Sequence, residues 1–219
     1  MAVLDSLRAF VADGRVARWG LVAGAVLVVL GLIGFGGWTW YQSQQAQGTA
    51  ALATAVELAQ KALAPGATPE SRAGAAQALE AVIAQHPRYA GLPEAAYRLG
   101  NVRYDAREFA AARGAYQIAL AKGATGTVHV LAASGIGYTW EAEKDYAKAQ
   151  SAFAAAVAGL GPKDFLYEAL LLDLARTQEF GGRRDAALET YRRLLKDVPD
   201  SRRADDIRTR IASLQSGSK

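Results

Sequence analysis

A small residue, followed four places later by a bulky one and three places after that by another apolar one, recurs four times in this chain. No other feature of the sequence limits the possible folds as much. The rows are Ala75, Leu79 and Val82; Ala112, Tyr116 and Ala119; Ala149, Phe153 and Ala156; and Ala187, Tyr191 and Leu194. Successive rows are offset by 37, 37 and 38 residues, and five places after each row comes Pro87, Ala124, Gly161 or Pro199. Apolar positions at i, i+4 and i+7 share one face of a helix, and the residue that follows ends it. Twelve places before the small residue of the last three rows stand Gly100, Gly137 and Ala175. Each copy therefore reads as two antiparallel helices with a small residue where they face each other. A single pair cannot bury its apolar face, but stacked copies can, which is the logic of a helical solenoid.

These residues resemble the tetratricopeptide repeat family. Its Leu-Gly, Ala, aromatic, Ala, Pro order appears as Leu99-Gly100, Ala112, Tyr116 and Ala119. It recurs as Ile136-Gly137, Ala149, Phe153 and Ala156, and again as Leu174-Ala175, Ala187, Tyr191, Leu194 and Pro199. The first copy keeps only Ala75, Leu79, Val82 and Pro87, as terminal repeats often do. The period exceeds the usual ~34 residues, which places the extra length in the turns between repeats. Arg103 stands where the family usually has a tyrosine.

The expected fold is all-α: a single N-terminal transmembrane helix, then a tetratricopeptide-like α-solenoid of about four helix pairs and a C-terminal capping helix. Residues 1–18 form a cytoplasmic segment, 19–41 the span, 42–64 a helical neck that becomes the first repeat helix, and 65–219 the repeat domain. Pro65-Gly66-Ala67 breaks the neck, and Thr68 caps the next helix with Pro69 and Glu70 in its first turn. Further helices are expected at 92–105, 108–122, 127–142, 145–158, 163–180 and 183–197, with Gly181-Gly182 making the last tight turn. Ile207, Ile211 and Leu214 fall on one side of the capping helix.

From Trp19 to Tyr41 the chain runs without a charge, and the next Asp, Glu, Lys or Arg after Arg18 is Glu57. A helix of that length crosses about 30 Å of hydrocarbon. Trp19 at one end and Trp38, Trp40 and Tyr41 at the other suit the two interfaces. A cleaved secretory signal would have a shorter apolar core and a small-residue cleavage site, whereas this run ends in bulky aromatics. Arg8, Arg15 and Arg18 precede the span and no cation closely follows it, so the N-terminus is expected in the cytoplasm. The C-terminal domain then lies in the periplasm of a bacterium, with the chain single-pass in the inner membrane. Gly20, Gly24 and Gly31 form a small-residue stripe suited to packing another membrane helix. Val3, Leu4, Leu7, Phe10 and Val11 share a helical side opposite Asp5 and Arg8. That stretch fits a helix lying along a membrane surface and equally a lead into the span.

Cysteine is absent, which removes disulfides, thiol chemistry and lipid attachment through an N-terminal cysteine. The formal charge of +4 is matched by Gly181–Lys219, where ten Lys or Arg face six Asp or Glu. Those arginines flank helix ends beside Asp185, Glu189, Asp205 and Asp206, the pattern of a solvated helical face rather than a nucleic-acid site. His86 and His129 have no ligand set around them, and His86 precedes Pro87 at a helix end. Ser134-Gly135-Ile136-Gly137 lies within a helix, so it is neither a nucleophile elbow nor a phosphate loop. No catalytic residue, metal site or cofactor is expected, and no nucleic acid or small-molecule substrate.

What the family resemblance implies is a binding surface on the first helix of each pair. Carried over position by position, it selects Tyr97, Asn101, Tyr104, Ser134, Tyr138, Glu141, Leu172, Arg176 and Glu179. Some family members grip a C-terminal carboxylate there. Here Asn101 matches one member of that clamp, but Tyr97, Gly135, Ala169 and Asp173 occupy the other positions, so the clamp is not expected. Tyrosines offer contact area at low entropic cost, which suits an extended or unfolded polypeptide, although the same rings could simply pack between repeats. The overall layout resembles the ancillary subunit of the bacterial Sec translocon. That resemblance implies a non-enzymatic scaffold or chaperone-like accessory whose partners are a membrane complex such as a translocon, periplasmic chaperones or unfolded polypeptides, with membrane lipid around its span. The alternative is an assembly factor or structural subunit of another inner-membrane complex.

Overall fold

The structure, a computed structural model, describes residues 14–217. The amphipathic stretch expected over residues 1–13 lies outside the described residues. Among the described residues there are nine α-helices and no strand. They are α1 (Gly14–Ala62), α2 (Pro69–Gln85), α3 (Leu92–Asp105), α4 (Phe109–Ala121), α5 (Gly126–Ala142), α6 (Tyr146–Val157), α7 (Tyr167–Phe180), α8 (Arg184–Asp197) and α9 (Ala204–Ser216). The chain divides into two compact units, Met1–Gln47 and Gly48–Lys219.

In the first unit α1 carries the apolar run. Every large apolar side chain described between Trp19 and Tyr41 is exposed, including Leu27, Leu30, Ile33, Phe35 and Trp38. Among the described residues this is the one helix long and apolar enough to cross a membrane. A Cβ added at Gly20, Gly24 or Gly31 would meet nothing within 4 Å, so the glycine stripe faces open space.

The second unit is a stack of four helix pairs and a cap. The C-terminal part of α1 pairs with α2, then α3 with α4, α5 with α6 and α7 with α8, and α9 covers the end. Three core clusters follow each other along the stack. Leu52, Ala55, Ala59 and Ala62 of α1 pack with Ala75, Leu79 and Val82 of α2 and with Leu99 and Val102 of α3. Ala96, Ala112, Tyr116, Ala119 and Ala132 join α3, α4 and α5. Phe153, Tyr167, Leu171, Leu174, Tyr191 and Leu194 fill the last two pairs, and Ile207 of α9 closes them, with Ile211 and Leu214 packed alongside. All twelve residues of the repeat rows are buried. Each cluster is shared between neighbouring pairs, so the stack is held by nearest-neighbour contacts.

The helix ends follow local chemistry. Thr68 Oγ1 accepts from the Ser71 amide at 3.2 Å and Pro69 opens α2, while His86 is its C-cap. The three turns within pairs share one backbone solution. Arg107, Lys144 and Gly182 all have positive φ, at 62°, 62° and 71°. In each turn the amide of that residue donates three residues back and the next amide five back, for example Arg107 N to Tyr104 O and Glu108 N to Arg103 O, both at 2.9 Å. This is a Schellman closure, which favours glycine at the left-handed position. Arg107 and Lys144 carry the steric cost of a side chain there.

Three expectations need correcting. The stretch 163–166 is not helical: the Gly161 amide donates to Asp164 Oδ2 at 2.6 Å and the Asp164 amide returns to Gly161 O at 2.9 Å, which holds a turn until α7 starts at Tyr167. The long period is therefore not carried by turns alone, because the 158–166 connection is long whereas the third pair gains length in α5, a 17-residue helix. The small residues also act differently from a simple backbone contact. A Cβ at Gly100 would lie 2.3 Å from the Tyr116 ring, and one at Gly135 of the next pair 2.6 Å from the same ring. A Cβ at Gly137 would lie 2.8 Å from Phe153. The glycines admit an aromatic ring into the helix face.

Gly100→Ala is expected to destabilise the repeat domain by about 1–3 kcal/mol through overpacking. Gly74→Ala, in a helix interior where an added Cβ meets nothing within 4 Å, should instead stabilise it by about 0.5–1 kcal/mol. Thermal melts of the full chain in detergent check the pair, and a stabilised Gly100→Ala would show that Tyr116 does not sit against Gly100. At the turns, Arg107→Gly and Lys144→Gly should each add up to about 1 kcal/mol and Gly182→Ala should remove a similar amount. Chemical denaturation reads these differences directly.

Candidate protein-binding face

The nine expected residues lie on the first helices α3, α5 and α7, where most of them bind each other or neighbouring helices. On α3, the Tyr97 ring lies 6.1 Å from that of Tyr116. Asn101 Oδ1 accepts from the Tyr116 hydroxyl at 2.8 Å. Tyr104 lies 5.5 Å, ring to ring, from Phe109 at the start of α4. On α5, Ser134 is buried and its hydroxyl donates to Leu131 O at 3.0 Å. Tyr138 packs edge-on against Phe153 at 5.0 Å and donates its hydroxyl to Asp173 of α7. Glu141 takes Arg176 of α7 through two bonds, both 2.8 Å, in a fork-to-carboxylate geometry. On α7, Leu172 is half-buried against the last core cluster. Glu179 accepts from the Tyr191 hydroxyl at 2.6 Å and from Arg210 of α9.

Two of these inter-repeat bonds have the same sequence offset, 35 residues for Tyr138 to Asp173 and 35 for Glu141 to Arg176. Arg176 also reaches Asp173 at 2.9 Å. Burial holds the Asp173 carboxyl above its ordinary range, although the Tyr138 hydrogen bond and Arg176 pull the other way. The hydrogen bond to Glu141 raises the Arg176 guanidinium further. Asp173, Tyr116 and Arg210 were not among the expected site residues. The repeated offset was the available signal for Asp173, but nothing local marks Arg210, which depends on how α9 docks. Of the acids expected to pair with the C-terminal arginines, Asp205 takes Arg208 at 2.6 Å, whereas Arg210 reaches Glu179 and Arg193 reaches Asp197 at 3.3 Å. Among the described residues no group of three or more His, Asp or Glu could hold a metal ion.

The repeat geometry and its ring-in-notch contacts agree with the comparison of the sequence to known families. Residues 141–211 match the tetratricopeptide repeat family. No curated protein matches the chain. Among solved structures, a thermophilic TPR protein in Thermus thermophilus is similar at 17% identity over 80% of this chain and 98% of that one, with a TM-score of 0.32. The matched tetratricopeptide segment begins at Glu141 and runs through Arg176, Glu179, Tyr191 and Arg210, so it contains most of the polar network. Tetratricopeptide repeats are protein-interaction modules.

Three of the rings report on the integrity of this face. Burial pushes the Tyr116, Tyr138 and Tyr191 hydroxyls well above the usual 10.0, and hydrogen bonds to Asp173 and Glu179 add to the effect for the last two. A folded value above the unfolded one gives stability that is whole below pH 10.0 and is lost as pH rises through the folded values. In an ultraviolet titration of the full chain, these tyrosines should ionise late and together with the loss of helical circular dichroism. Simple titration of all nine tyrosines near pH 10 with the helices intact would contradict this packing.

Proposed function

We propose that this chain is a membrane-anchored scaffold whose repeat domain holds protein partners at the periplasmic face of a bacterial inner membrane. One observation carries the anchoring: the large apolar side chains described between Trp19 and Tyr41 are all exposed, while the core of the repeat domain closes without them. Apolar surface left in water costs about 25 cal/mol per Å², and hydrocarbon removes that cost. Six glycines between Gly20 and Gly37 would each weaken a helix in water by about 1 kcal/mol. In lipid, where backbone groups have no water to bond, the helix is the form that satisfies them. Residues 19–41 are therefore assigned to the span, residues 1–18 to the cytoplasm and the repeat domain to the opposite side, following Arg8, Arg15 and Arg18.

The layout of one short segment, one span and four helix pairs supports a place beside the Sec translocon, where the first-helix face would meet emerging polypeptides or periplasmic chaperones. A second reading draws on a different observation. Tyr138, Glu141, Arg176 and Glu179 are already bonded within the domain, which favours a structural subunit of another inner-membrane complex that is held through the span, with Gly20, Gly24 and Gly31 against a partner helix, and through the outer repeat faces.

In sealed spheroplasts, added protease should digest the repeat domain while the chain retains its N-terminal span. A protected domain, or a mature chain beginning beyond Tyr41, would refute the topology. A photoreactive residue in place of Tyr104 should then crosslink protein partners in intact membranes. Nascent or unfolded chains in the crosslinked band support the translocon reading, and a single stoichiometric membrane subunit supports the structural one.

A further inference from the structure

A hollow of about 350 Å³ opens between α7, α8 and the capping helix α9, next to the last of the expected site residues. Its apolar lining comes from Leu172 and Phe180 of α7 and Ile207 of α9. Phe180 is 53% exposed although it touches Tyr146 of α6, ring to ring at 5.6 Å. Around the hollow stand Arg176, Arg203 and Arg210, with Asp206 the one acid in the lining. We propose that this hollow seats a segment of another protein in which an apolar side chain is flanked by carboxylates, with the apolar group on Leu172 and Phe180 and the carboxylates on the arginines.

Depth decides what an incoming anion meets here, because the local sum of charges alone does not favour one. Arg176 is paired with Glu141 and Asp173, but its side chain is 41% exposed and theirs are 17% and 10% exposed. Arg210 is paired with Glu179, and the side chains are 52% and 8% exposed. In both cases the acids lie beneath and the guanidinium edges lie on top, where an incoming chain meets them. The acids beneath also hold those forks in place, so little conformational freedom remains to be lost on binding. Arg176 spends Nε, Nη1 and Nη2 on its acids and Arg210 spends Nε and Nη2, which leaves donors on both forks. Arg203 makes no ion pair among the described residues and offers its whole fork. A free guanidinium, two fixed ones and an apolar floor form the arrangement that recognises a carboxylate beside an aliphatic or aromatic group. This inference rests on the reading that the first-helix face meets protein partners. It concerns the last pair and the cap, and of the absent clamp's positions only Asp173 reaches it, through Arg176.

The test uses the full chain in nanodiscs and three fluorescent, end-capped peptides: Gly-Asp-Asp-Leu-Phe-Asp-Asp-Gly, the same peptide with Asn for Asp, and the same with Ser for Leu and Phe. Fluorescence anisotropy should show saturable binding of the first, about ten-fold or more tighter than either control. Arg203→Ala and, separately, Phe180→Ser should each weaken it by about ten-fold, with unchanged circular dichroism melts. Both side chains are exposed, and if either variant loses its melt the other still decides. Equal affinity for the three peptides, no binding up to millimolar peptide, or variants that bind like the parent would overturn the proposal. Self-association of the parent in sedimentation velocity that Phe180→Ser abolishes would overturn it too, by making a second copy the occupant. If the peptides fail while Tyr104 crosslinking still captures partners, this inference alone falls. If both fail, the reading of the face falls with it.

Discussion

The stack depends on a bulky side chain of each second helix being received by small residues on the first helices. Tyr116 shows the constraint most sharply. Its ring is held between Gly100 of its own pair and Gly135 of the next, with its hydroxyl tied to Asn101. One ring thus sets the helix separation within a pair and the contact to the following pair. Phe153 against Gly137 repeats the first half of this arrangement, and Tyr191 shares the final cluster with Ala175, where a methyl group takes the place of the notch. Because protein interiors are close-packed, the position of these rings determines where the rest of each first helix lies, and hence which polar groups can meet across the repeats.

Polar contacts on the first-helix face are a consequence of that spacing. Tyr138 with Asp173, and Glu141 with Arg176, join α5 to α7, while Glu179 with Arg210 joins α7 to the cap. Tyrosine and acid groups that could have gripped a ligand instead lock neighbouring pairs together. Arg176 and Arg210 keep donors on the outside of their ion pairs, so these two forks are preorganised. A partner binding there would meet a rigid surface and would itself supply most of the conformational adjustment.

The two units have different requirements for their surroundings. The repeat domain buries its apolar rows within itself, whereas the run from Trp19 to Tyr41 buries none of its large side chains among the described residues. Neither more packing within the repeats nor the glycine-rich helix itself can satisfy that surface. An apolar surrounding can, and this makes anchoring the physical premise on which the functional reading stands.

The sequence by itself determined the all-helical class, the four pairs, the cap and most helix limits, because each is encoded locally: a 3.6-residue apolar spacing, Thr68 before Pro69, breakers at fixed offsets. It also set the length of the apolar run. Local pattern was misleading over 163–166, where the side chain of Asp164 competes for the backbone. It was silent on the shared left-handed geometry of Arg107 and Lys144, two residues with no preference for it. What only the tertiary structure decided is how the face is used. The family resemblance picked nine positions, but whether Ser134 is covered, whether Tyr138 points to solvent or to Asp173, and whether Arg210 comes near Glu179 depend on distances between helices some 30 to 35 residues apart in sequence. Those distances follow from the volume of a few rings in glycine notches, a property of packed pairs that no single helix carries.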